Sequence, residues 1–169
     1  PGEGTWVTLA YEDNWPKKGD YDFNDVVIFY RVDTISNQEG NIVRYDIYGK
    51  LQAYGASFPN GFAVQLDNIA RSLVNENLSK IIVNDKTIHN QSVIENGQDF
   101  AVIVISGNLK DELAPPQCSG NAGNFYRVWQ GCTLDAADQF SFVVSVPFNS
   151  AISTGPDMPL NPFIFAPEG

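Results

Sequence analysis

Phe140-Ser141-Phe142-Val143-Val144-Ser145-Val146-Pro147-Phe148 decides the fold class. Phe140, Phe142, Val144, Val146 and Phe148 stand at every second position, with Ser141 and Ser145 opposite. A period of two marks a strand with one buried face, whereas a helix repeats near 3.6. Val43, Tyr45, Ile47, Leu51 and Ala53 repeat the pattern, with Arg44, Asp46, Tyr48, Lys50 and Gln52 on the other face. Residues 100–105 are apolar throughout and read as a strand covered on both sides. Further strands are expected at 5–11, 26–32, 62–66, 80–83 and 125–129, punctuated by Gly, Asn, Asp and Pro. Only 68–78 and 108–113 offer room for short helices. The expected fold is all-β: a β-sandwich or jelly-roll-like arrangement with one or two short helices in connections. Residues 1–169 are expected to form a single domain, since no repeat or internal linker divides them.

Composition limits the partners. Twenty Asp and Glu against ten Lys and Arg give a formal net charge of −10. That balance argues against nucleic acid and against docking on anionic lipid. No apolar run reaches the roughly 18 residues that a spanning helix needs, so no membrane insertion is expected. The chain opens at Pro1-Gly2 without a start Met, which reads as a piece excised from a longer protein. A monomeric domain within that longer chain is the expectation.

The densest chemistry lies in Gly19-Asp20-Tyr21-Asp22-Phe23-Asn24-Asp25-Val26-Val27. Asp20, Asp22, Asn24 and Asp25 bring oxygen-bearing side chains together, and no Lys or Arg lies among them. Carboxylates so close repel one another unless a cation compensates, and oxygen donors suit a hard divalent ion, Ca²⁺ above all. The Asp20, Asp22, Asn24 spacing matches the start of an EF-hand loop. That loop's sixth-position Gly and twelfth-position Glu are absent, and Arg31 stands at the latter, so the EF-hand reading fails. Glu12 and Asp13 end the preceding apolar run, and a loop between neighbouring strands would bring them to the cluster. The expected metal ligands are therefore Glu12, Asp13, Asp20, Asp22, Asn24 and Asp25. A metal-free acidic turn is the alternative, because Asp and Asn also cap turns.

Cys118 and Cys132 flank a polar, loop-like stretch containing Ser119, Gly120 and Asn121. Two thiols cannot build a structural zinc site, and the lone His89 is distant in sequence. A disulfide closing this loop of roughly 15 residues would add about 3 kcal/mol in the chain-entropy model. It would imply an oxidising compartment. Two unrelated free thiols are the alternative.

Three blocks carry a family resemblance. They are Leu9-Ala10-Tyr11-Glu12-Asp13-Asn14-Trp15-Pro16 with Gly19 to Val27, then Leu51-Gln52-Ala53-Tyr54-Gly55-Ala56 with Asn60-Gly61-Phe62-Ala63-Val64-Gln65-Leu66, and finally Leu160-Asn161-Pro162-Phe163-Ile164. The chain thereby resembles the LruC-type domain of bacterial surface and secreted proteins. The family pattern continues after its NPFI block into an RGxEVHL-like segment. Here Phe165-Ala166-Pro167-Glu168-Gly169 follows instead, so a final strand is expected to be missing or different. A block related to GDYDFNDVV also occurs in Ca²⁺-binding modules of large repeat adhesins. The resemblance implies an extracellular or bacterial cell-surface location.

Three functions compete. The first is a Ca²⁺-dependent binding module that holds a peptide carboxylate or a carbohydrate on its ion. Trp15, Tyr21, Tyr54 and Trp129 are the candidate apolar wall, against the alternative that each only packs. The second is a structural domain in which Ca²⁺ rigidifies loops. The third is an enzyme, such as a glycosidase with paired carboxylates. No Ser-His-Asp set, phosphate loop, HExxH or Cys-His pair is present, and a non-enzymatic module is the expectation. Any ligand is expected at a loop edge beside the ion and not on a flat sheet face.

Overall fold

The computed structural model describes residues 2–14, 17–84, 86–88, 93–113, 126–127 and 139–167. Among them the chain forms β1 (Val7–Tyr11), β2 (Val26–Ser36), β3 (Ile42–Tyr54), β4 (Gly61–Ala70), β5 (Lys80–Val83), β6 (Lys86–Ile88), β7 (Phe100–Ser106), β8 (Tyr126–Arg127), β9 (Ser141–Ile152) and β10 (Asn161–Phe165). Arg71–Leu73 and Leu109–Glu112 are single 3-10 turns, inside the two stretches with room for helix. The larger sheet runs β1-β2-β3-β9-β5-β6, with β8 pairing the end of β3. The smaller runs β10-β4-β7. Every ladder is antiparallel. The molecule is an all-β sandwich.

The alternation read in the sequence is what fills its core. Phe142, Val144 and Val146 of β9, Tyr45 and Ile47 of β3, and Ile28 and Tyr30 of β2 are buried. They join Phe62, Val64 and Leu66 of β4 and Ile103 of β7 in one apolar cluster. Ala101, Val102 and Ile103 are all buried in succession, so β7 is covered on both faces over that stretch. Two strands have no counterpart in the sequence reading. Lys86–Ile88 is too short to show a period. Asn161–Phe165 contains Pro162, which lacks a ladder donor and is tolerated because β10 is an edge strand. Cys118, Cys132 and His89 lie outside the described residues.

On the outer face of the larger sheet, the Arg31 guanidinium sits 5.0 Å from the Trp6 ring centroid and 4.5 Å from that of Tyr48. Trp6 also stacks on Phe29 at 4.7 Å, which binds the segment before β1 onto β2. Cation–π contacts of this kind contribute about 0.5–1 kcal/mol each at exposed sites.

Gly49 is demanded by packing. A Cβ there would come within 2.1 Å of the Phe142 ring, which is itself buried. Gly107 has open space around the same position. Gly49→Ala is expected to destabilise the fold by about 1–3 kcal/mol, the usual cost of overpacking. Gly107→Ala is expected to stay within about 0.5 kcal/mol of the parent. Urea unfolding of the two variants checks the contrast.

Candidate metal centre and adjoining groove

The pairing of β1 with β2 creates the site. Tyr11 lies opposite Val26, so the connection between them must start and finish at one spot. Glu12 and Asp13 leave β1 there, and Asp25 enters β2 there. The Asp13 backbone N–H donates to Asp25 Oδ2 at 2.8 Å, and the Phe23 N–H donates to Glu12 Oε1 at 2.5 Å. The Asn24 side-chain amide donates to Asp22 Oδ2. Carbonyls of Asn24 and Asp25 accept from the Gly55 N–H at 3.0 and 3.1 Å, which ties the loop to the end of β3. Gly55 permits this approach, because a Cβ there would meet Asn24 Oδ1 at 2.3 Å.

The carboxylates converge, with Lys18 on the rim of the same cavity but in no ion pair with them among the described residues. Carboxylate oxygens of Glu12, Asp20 and Asp22 lie within 4.8 Å of one another. Among the described residues, no Lys or Arg forms a salt bridge with them or with Asp13 and Asp25. Glu12 Oε2 and Asp13 Oδ2 are shielded from solvent and accept no hydrogen bond. Asp25 is buried, with 9 % of its surface exposed. Its desolvation pushes the carboxyl up to about 6; the Asp13 N–H bond opposes this, and the charges of Asp13 and Glu12 add to it. Asp20, Asp22, Asn24 and Asp25 line a cavity of about 650 Å³ with Asp13, Gly55 and Phe58. All six expected ligands are thus brought into one neighbourhood. The donor set is oxygen only and strongly negative, and two of its oxygens are buried without a donor. That chemistry fits a hard cation.

Beside the acidic cavity lies a groove of about 940 Å³. Tyr21, Phe23 and Phe58 line it and are 52, 54 and 60 % exposed. Tyr21 and Phe23 adopt left-handed backbone, with φ of 58° and 52°. For side chains of this size that conformation costs about 1–2 kcal/mol per residue. In the loop, aromatic Tyr21 and Phe23 alternate with Asp20, Asp22 and Asn24, and the carboxylates gather while the rings face solvent. Phe163, Ile164 and Phe165 of β10 and Tyr11 of β1 complete the groove.

Of the expected apolar wall, Tyr21 lines the groove. Tyr54 is only 2 % exposed, donates its hydroxyl to the Phe58 carbonyl at 2.7 Å and accepts from the Asn60 N–H at 3.1 Å. It therefore braces the 55–60 loop that presents Phe58. Trp15 and Trp129 lie outside the described residues. Phe23 and Phe58 were missed by sequence reasoning.

A family model described as a domain of unknown function, DUF4842, matches residues 40–169. The match begins after the carboxylate loop and takes in β3 to β10. No curated protein and no solved structure matches the chain.

The Asp25 environment predicts a pH response in chelator-treated protein. A folded-state value near 6, raised from 3.8, means that the native state favours the protonated form. That contribution is fully present below about pH 4 and is lost as pH rises through about 6. Asp25→Asn keeps an acceptor for the Asp13 N–H and removes the charge. Its unfolding free energy is expected to gain on the parent's as pH climbs through this window. A constant difference from pH 4 to pH 7 in denaturant titrations would refute the assignment.

Proposed function

The chain belongs to the DUF4842 family, and we propose that it acts as a Ca²⁺-dependent ligand-binding module of an extracellular bacterial surface protein. The observation that carries this reading is the abutment of an unneutralised oxygen cluster and an exposed aromatic groove, which share Asp13, Asn14, Gly19 and Phe58. Glu12, Asp13, Asp20, Asp22, Asn24 and Asp25 hold the ion, which takes about six to eight oxygens counting carbonyls and water. On a protein of net charge −10, a bound cation is the strongest local positive centre. It attracts a peptide carboxylate or the paired hydroxyls of a glycan, while Tyr21, Phe23 and Phe58 cover the apolar part. A Cys118–Cys132 disulfide and an oxidising location belong to the same reading. So does the LruC-type resemblance, whose first block contains the ligands.

A second reading is favoured by the bonds from the Phe23 and Asp13 N–H groups to Glu12 and Asp25. They knit the loop through its carboxylates, as in a domain where the ion only rigidifies. That reading gives a stability response with no ligand.

Calcium is expected to stabilise the fold by about 2.7 kcal/mol at a hundredfold excess over Kd. Chelator should therefore lower the melting temperature by roughly 5–10 °C. Mg²⁺, which demands a tighter octahedral shell, should restore it poorly. Asp20→Ala and Asp22→Ala should each remove most of the calcium response, and Glu39→Ala, an exposed acidic residue outside the loop, should leave it intact. Scanning calorimetry on protein shown to be metal-free decides the matter, and an unchanged melting temperature rejects the ion. Glycan and peptide arrays with and without chelator separate the two readings.

A further inference from the structure

The groove wall contributed by β10 carries main-chain groups that no described strand uses. β10 pairs with β4 on one side and ends the smaller sheet on the other. Pro162 lies opposite Val64, and having no N–H it cannot form a doubly bonded antiparallel pair. Hydrogen-bonded and open pairs alternate, so Ile164, opposite Phe62, is also an open pair and points its N–H and C=O away from β4. The far side of the sheet gives the same phase. The Val102 carbonyl accepts from the Glu95 N–H at 2.7 Å, so Val102 faces away from β4. Its partner Gln65 therefore faces β10 and bonds Asn161. The Pro162 carbonyl, turned outward, accepts the Tyr11 hydroxyl at 2.9 Å. No described residue bonds the outward groups of Ile164.

We propose that this groove receives an extended polypeptide segment, which adds a strand to the outer edge of β10 and runs towards the carboxylate loop. The inference rests on the ligand-binding reading above and selects peptide over glycan. Unpaired N–H and C=O groups on a strand edge are matched by another strand's backbone, which a sugar does not offer. The aromatic lining suits apolar side chains at alternate positions of the incoming segment. Charge defines the rest of the partner. The groove itself carries Lys17 beside Glu12 and Asp13, so it is the −10 of the whole chain that favours Lys or Arg at the segment's solvent-facing positions. A second copy of this chain, equally negative, is disfavoured there.

The test uses seven-residue peptides alternating Val or Phe with Lys, blocked at the N-terminus and carrying a free C-terminal carboxylate for the ion, and the same peptides N-methylated at alternate backbone nitrogens. Binding is followed by calorimetry in calcium and in chelator, with a glycan array as the competing arm. The peptides are expected to bind in calcium, and N-methylation on the edge-facing register is expected to weaken binding at least tenfold. Ile164→Pro removes the outward N–H together with a side chain packed against the core, and where its fold is retained it should weaken binding likewise. Should that variant fold poorly, amide exchange on the unaltered protein replaces it: the Ile164 N–H should exchange at least tenfold more slowly with peptide bound. Equal binding of methylated and unmethylated peptides, or an Ile164 amide unaffected by peptide, overturns the proposal. Glycan binding without peptide binding also overturns it and leaves the ion reading standing. Edge-dependent peptide binding that ignores chelator supports the added strand and removes the ion from the function.

Discussion

The register that sets Tyr11 opposite Val26 governs the functional end of this molecule. Once those residues pair, the 12–25 connection must close on itself, and its acidic residues cannot avoid one another. The repulsion is contained by backbone donors, from Asp13 to Asp25 and from Phe23 to Glu12. The Gly55 N–H then ties the closed loop to the end of β3. The loop is thereby anchored on rigid strands, the arrangement that lets a site hold its geometry.

Strain and exposure occur together in this loop. Tyr21 and Phe23 hold left-handed backbone, which bulky residues avoid, and both present their rings to solvent. Neither the conformation nor the exposure improves the core. Residues kept in this state cluster at binding sites, where the surrounding structure over-determines them. Phe58 reaches the same groove from a different loop, braced by Tyr54, so two connections converge on one face.

The legible part of the fold was the part with a strong period. Phe140 to Phe148 and Val43 to Ala53 alternate because one face meets the opposite sheet, and they became β9 and β3. The clustering of the six oxygen-bearing residues was legible because a run of acidic side chains is visible in one dimension. β10 was not: Pro162 breaks the ladder and five residues carry too little pattern, so the groove it walls could not be foreseen. Phe58 gave no signal either, since its exposure depends on Tyr54 being drawn inward by the Phe58 carbonyl and the Asn60 N–H. Tyr54 itself looked like a ligand contact because a sequence shows an aromatic ring but not which way it turns.

The outer edge of β10, which no described strand pairs, also bears on how the protein behaves in concentrated solution. An unpaired strand edge is a template for edge-to-edge self-assembly, and Pro162 blunts only one end of this one. Mutual repulsion between molecules of charge −10 supplies the remaining protection, and that force is colloidal. It acts over a screening length of about 10 Å at 0.1 M salt and about 3 Å at 1 M. On the calcium reading proposed above, a divalent cation would steady the loop while lowering solubility. An ion that quiets the carboxylates also lowers the net charge, and brings dissolved molecules closer to the distance at which their edges can meet.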